Sequence, residues 1–169
     1  MVVRGFGASR ALFALIDVLG HGPAAAEAAA IAVAALHACD ASTDAPGAVA
    51  RLGAALRGGR GAAALVGVID GQDVEACIVG NVELRASRSG AVGVVHSPGV
   101  LGVSIRKLHV FGGQVQPGDR LVAYSDGIAG TLGPADLEGL APEAACEWAL
   151  DRFGSPDDDA SVLVLDVLR

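Results

Sequence analysis

Three acidic positions, far apart in the chain, stand where apolar runs stop or begin. Asp17 closes the run at 11–16, Asp126 follows LVAYS at 121–125, and Asp157-Asp158-Asp159 stands just before the run at 161–168. If the last run pairs antiparallel with the other two in one sheet, its start lies at the edge where they finish. All three acidic sites then meet at one rim. Carboxylates gathered that closely repel one another and raise each other's pKa unless a cation sits between them. A ligand set made of oxygens alone suits a hard ion, Mg²⁺ or Mn²⁺, better than zinc. A plainer reading exists. An Asp before Gly at a strand end is a common turn residue, as at Asp70-Gly71, and an acidic triplet can be a solvated loop. Spacing alone leaves both readings open.

The elements that must position these acids follow from period and punctuation. The run at 11–16 is too short for a helix and reads as a buried strand. Gly20-His21-Gly22 breaks it, and Pro23 suits a first helical position, so the Ala-rich stretch to about residue 39 reads as helix. A second helix starts near Thr43 or Asp44, with Val49, Leu52 and Leu56 on one face. Beyond Gly58-Gly59-Arg60-Gly61 the period becomes that of strands. Runs at 62–69 and 74–79 flank Asp70-Gly71, a strong hairpin signal. Further strands are expected at 82–87 and 91–95, then a Gly- and Pro-rich loop at 96–102. Runs at 107–115 and 119–124 are expected to form another hairpin around Pro117-Gly118. Pro142 opens a helix with Cys146, Ala149, Leu150 and Phe153 inward, Gly154 ends it, and 161–168 closes the chain as a strand. Helices grouped beside a strand meander imply an α+β layered fold, not a doubly wound sheet.

At 169 residues the chain fits one domain, residues 1–169. A formal charge of -7, with no clustered basic run and only 4% aromatics, argues against nucleic acid as a partner. Cys39, Cys77 and Cys146 are odd in number and lack CxxC spacing, which suits small core hydrophobes in a reducing compartment. The apolar start is short and broken by Arg10, unlike a signal peptide. The Ala-rich helix is too short to span a bilayer and carries Glu27 and His37. These features exclude a membrane partner and point to a cytoplasmic location. His37, His96 and His109 show no metal-binding spacing, and Trp148 reads as a partly buried helix residue.

The segments DVLGHGPAAAEAA, GRGAAALVGV, CIVGNVELRASRSG, RLVAYSDGI and PDDDASVLVL occur in the order and rough spacing of the PPM phosphatases. The chain most resembles their bacterial SpoIIE-like branch, over almost its whole length from Leu12 onward. The resemblance implies an αββα sandwich of two antiparallel sheets flanked by helices. It implies that Asp17 bridges two Mn²⁺ or Mg²⁺ ions, that the carbonyl of Val18 binds one of them, and that Asp126 and Asp158 complete the second site with Asp159 in support. The implied reaction is attack of a metal-bridging water on phosphoserine or phosphothreonine, without a covalent protein nucleophile. Implied substrates are phosphorylated stressosome or anti-sigma-antagonist (STAS-type) signalling proteins. His21 stands near the place where eukaryotic relatives carry a histidine suggested as general acid, the aligned position itself being Leu19. It could protonate the leaving oxygen, or simply pack between glycines. Gly20 and Gly22 could let backbone approach the ions, or form an ordinary turn. Arg60 reads as a solvated strand-end residue or a phosphate contact, and Asn81 as a turn tie.

One departure bears on activity. Family members carry a Gly-Asp pair on a strand before the first motif, whereas no acid precedes Asp17. On that ground the chain is expected to be N-terminally short, with the first edge strand missing. A pseudophosphatase that docks phosphoproteins without turnover is the alternative function.

Overall fold

The computed structural model describes residues 1–156 and 158–168. The chain opens with β1 (Val2–Gly5) and β2 (Arg10–Val18), then α1 (Pro23–His37) and α2 (Ala45–Ala55). A run of strands follows: β3 (Ala62–Asp70), β4 (Asp73–Val79), β5 (Glu83–Ala86), β6 (His96–Ser97), β7 (Gly99–Val100), β8 (Ser104–Ile105), β9 (Val110–Gln114) and β10 (Arg120–Tyr124). A 3₁₀ turn (Pro134–Leu137), α3 (Pro142–Phe153) and β11 (Val162–Asp166) complete it.

Two sheets form the middle layers. The larger has the order β1-β2-β3-β4-β6, with β9 also pairing on β4, and the smaller has the order β11-β10-β5. All these pairings are antiparallel except the short contact of β6 with β4. Alternation along the strands shows why four layers result. On β2, Leu12 and Ala14 pack with α1 and α2, whereas Phe13 and Leu15 pack against the smaller sheet. On β10, Leu121 and Ala123 face the larger sheet, and Val122 and Tyr124 meet α3. Both faces of each sheet are therefore buried, so the strands read as unbroken apolar runs instead of alternating ones. The α+β assignment and the αββα sandwich hold.

Small side chains set the spacing. Ala28, Ala32 and Leu36 of α1 lie four residues apart and are buried on the sheet. At Gly67 of β3 a Cβ would run into the Phe13 ring, so this glycine gives the ring its place between the sheets. Asp44 caps α2 by accepting from the Gly47 amide at 2.8 Å.

Four sequence expectations need correction. The first edge strand is not missing: β1 pairs with β2, from Val2 opposite Ala14 to Gly5 opposite Ala11. Four residues are too few to show a period. What holds them is burial of Val2 and the Arg4 guanidinium, which donates to the His37 and Cys39 carbonyls and lies over the Phe6 ring. The runs around Pro117-Gly118 do not form a hairpin, because β9 pairs with β4 and β10 with β5 and β11. That turn carries the chain from one sheet to the other. In the expected strand at 91–95 only Val92 makes a bridge, to Gly113. On α3, Ala145 and Ala149 are buried while Leu150 is exposed.

Candidate active site

β2 delivers Asp17 opposite Ala63 of β3, one residue before the pairing of these strands ends at Val18 and Ala62. The Leu19 amide then donates to the Gly61 carbonyl at 2.9 Å, holding the strand end down. Gly20 and Gly22 both take φ of 81°, which turns the chain sharply into α1. Gly20 has a second constraint, since a Cβ there would collide with the Arg60 guanidinium. Arg60 itself donates to the Leu19 carbonyl at 2.9 Å and so braces the same turn. The solvated strand-end reading of Arg60 accounts for its exposure but misses this brace.

The smaller sheet supplies the other acids. Tyr124 ends β10 opposite Val162 of β11. The buried Ser125 then ties the two strand ends: its amide donates to the Ser161 carbonyl at 3.1 Å, and its hydroxyl accepts from the Ser161 amide at 3.0 Å. Gly127 lies so close to the Asp159 carbonyl that any Cβ would collide with it. The Ser155 amide donates to the Gly127 carbonyl at 2.8 Å. The loop after β10 and the loop before β11 are thus clamped as one unit. Within it Asp158 accepts from the Asp159 amide at 2.9 Å.

Where the two sheets end together, a cavity of about 480 Å³ opens, and Asp17, Val18, His21, Asn81, Asp126, Asp158 and Asp159 line it with Leu19, Gly20 and Pro156. The acids do meet, but across the two sheets and not on one rim as the sequence suggested. Asp157, the first acid of the triplet, lies outside the described residues. His21 is exposed on the cavity wall. Asn81, read from the sequence as a turn tie, donates from Nδ2 to Oδ2 of Asp126 and so fixes the orientation of that carboxylate. Gly80 makes this possible: with φ of 86° it packs against Ala63, bringing the β4–β5 crossover over the cavity. The partner of Asn81 is 45 residues away, and only the Gly-Asn break in an apolar run marked it.

The Asp17 carboxyl is pushed up to about 6, first by burial, then by the charge of Asp126 and a hydrogen bond to it, then by Asp158 and Asp159. Four carboxyl groups thus face one space in mutual repulsion, the arrangement that a cation relieves. Among the described residues, no three Asp, Glu, His or Cys side chains close on a single point as a complete ligand cluster. The donor set fits a hard divalent ion that keeps several waters and takes only one or two carboxylates directly, as Mg²⁺ does.

Residues 7–168 match the family "Stage II sporulation protein E (SpoIIE)". The chain belongs to the SpoIIE family. A chain from a structure described as "The bacterial stressosome: a modular system that has been adapted to control secondary messenger signaling" is 30% identical. That match covers 96% of this chain and 88% of that one, with a TM-score of 0.86. RsbX in complex with magnesium is 21% identical over 96% of this chain and 82% of its own, with a TM-score of 0.77. The PP2C phosphatase domain of SpoIIE from Bacillus subtilis, solved with a fragment of its regulatory domain, is 22% identical. It covers 98% of this chain and 57% of that one, at a TM-score of 0.74. At these last two identities the likeness is one of fold. None of the curated proteins matches the sequence. This SpoIIE-family chain therefore has the fold of the PP2C, or PPM, serine/threonine phosphatases and resembles RsbX.

Proposed function

We propose that this SpoIIE-family chain is a protein-serine/threonine phosphatase that works with two Mg²⁺ or Mn²⁺ ions. The observation that carries the reading is the meeting of Asp17, Asp126 and Asp158, from three distant segments and two sheets, around one cavity. Asp17, the Val18 carbonyl, Asp126 and Asp158 would hold the ions. Bound there, the ions would supply a water of lowered pKa and neutralise charge on the phosphoryl oxygens.

The chain's own residues do the rest. Asn81 holds Asp126 in one orientation, so the carboxylate is set before any ligand arrives. The Ser125 and Gly127 contacts keep the loop bearing Asp158 and Asp159 beside it. On this reading His21, on the exposed wall, would give a proton to the serine or threonine oxygen as it leaves. Substrates on this reading are phosphoserine or phosphothreonine residues of bacterial stress-signalling proteins, of stressosome or STAS type. Support comes from the 30% identity to a chain from the stressosome structure and from the likeness to RsbX. The reading places the protein in the cytoplasm with those substrates. Among the described residues no helix is long and apolar enough to cross a membrane.

Hydrolysis of p-nitrophenyl phosphate with and without Mn²⁺ tests the proposal. Turnover should need the ion and should fall by at least about a hundredfold in Asp126→Asn. One observation favours a second reading, a phosphoprotein-binding module with little turnover: none of residues 1–16 is acidic. Tight binding of a phosphopeptide with no hydrolysis in Mn²⁺ would select it.

A further inference from the structure

The protein carries a formal charge of -7, yet several of its cations gather in one place. Among the described residues, Arg10, Arg85, Arg88 and Arg120 are engaged in ion pairs. Arg51, Arg57, Arg60, Arg106, Lys107 and Arg152 are exposed and have no ion-pair partner there. Three of these six, Arg57, Arg106 and Lys107, line one cleft of about 390 Å³ between α2 and the β7–β8 hairpin, and no acidic residue lines it with them. Apolar side chains complete its lining: Val49 from α2, Val100, Val103 and Ile105 from the hairpin, and Leu108 beyond it. Val103 is 69% exposed at the hairpin turn, a large apolar side chain presented to solvent beside three positive charges.

Another of the six joins this cleft to the acidic cavity. Arg60 holds the Leu19 carbonyl on the cavity rim. The next residue, Gly61, lies directly beneath Val100 and Val103, so closely that a Cβ would collide with both. The two recesses are therefore neighbours across a wall only a few residues thick. A protein of net negative charge whose cavity gathers four carboxyl groups repels an acidic partner at long range. A cluster of unpaired cations beside the cavity offsets that repulsion locally and fixes which way the partner approaches.

We propose that the α2/β7–β8 cleft docks an acidic segment of the phosphoprotein partner, its carboxylates on Arg57, Arg106 and Lys107 and an apolar side chain against Val103. That the docked protein is also the one dephosphorylated rests on the phosphatase reading. Docking itself does not.

The probes are a fluorescein-labelled phosphoserine peptide with Asp/Glu flanks and the same peptide with Lys flanks. Binding is followed by anisotropy in EDTA, so that no metal site contributes. The acidic peptide should bind roughly tenfold tighter than the basic one, an advantage that salt erodes. Arg106→Glu/Lys107→Glu, and separately Arg57→Glu, should abolish the preference while leaving Mn²⁺-dependent hydrolysis of p-nitrophenyl phosphate unchanged. Equal affinity for the two peptides, or a preference that survives both variants, would overturn the proposal. So would equal competition from a single-stranded oligonucleotide of the same charge, which would make the cleft a nucleic-acid surface. Loss of p-nitrophenyl phosphate hydrolysis in the wild type, with the peptide preference intact, would sink the phosphatase reading and leave the docking surface standing.

Discussion

Replacing Asp17 by Asn should stabilise the metal-free protein at neutral pH, although it removes a residue central to the proposed site. The Asp17 carboxyl moves from an ordinary 3.8 to about 6 in the fold, chiefly through burial and then through Asp126. A raised folded-state value means that the neutral form is preferred. Relative stability from this group is therefore fully present below about pH 4 and is lost as pH rises through about 6. At ~1.4 kcal/mol per pKa unit the displacement corresponds to about 3 kcal/mol. Asp17 is only half-buried, and water screening reduces this to about 1–1.5 kcal/mol. Thermal unfolding in EDTA at neutral pH should then show Asp17→Asn melting about 2–5 °C above wild type. Near pH 4 the two should melt together. Excess Mn²⁺ or Mg²⁺ should reverse the order, because a ligand at a hundredfold excess over its Kd adds about 2.7 kcal/mol to the protein that binds it. A variant less stable than wild type in EDTA at neutral pH would refute the reasoning, since the acids would then not be in mutual repulsion.

Gly127→Ala should lower stability by about 1–3 kcal/mol, seen as a urea midpoint shift, because its Cβ has no place beside the Asp159 carbonyl. Asn81→Ala should leave the melting temperature nearly unchanged and cut Mn²⁺-dependent hydrolysis of p-nitrophenyl phosphate by about tenfold, the usual cost of releasing a supporting hydrogen bond to a ligand carboxylate. Gly67→Ala should cost about 1–3 kcal/mol on thermal unfolding by displacing the Phe13 ring between the sheets.

Local signals in the sequence carried much of this architecture. Pro23 and Asp44-Pro46 mark helix starts, Asp70-Gly71 marks a tight turn, and the acids of the site sit at strand ends, all of which depend on neighbours a few residues away. What the sequence could not convey was which strand pairs with which. Pro117-Gly118 signals a turn equally well whether the flanking strands pair or part. Here they part, because Gly112 and Gly113 let β9 press against Val74 and Ala91, where any Cβ would collide. Strands β6, β7 and β8 span two residues each, below any readable period, and they lie in a stretch whose glycines and Pro98 read as loop. The acids themselves were legible as a group. That they come from two sheets was not, because residue order says nothing about which layer a strand joins. Asn81 and Ser125 were missed as supports for the same reason: their partners, Asp126 and Ser161, lie 45 and 36 residues away.

Calorimetric titration of Mn²⁺ into the wild type and into Asp126→Asn tests most directly whether these distant carboxylates form one cage for paired cations. The wild type should take up more than one ion per chain, and the variant should lose at least one binding event or bind it about a hundredfold more weakly. Indistinguishable titrations would contradict the account, leaving the cavity a solvated acidic cleft at the end of a shared fold.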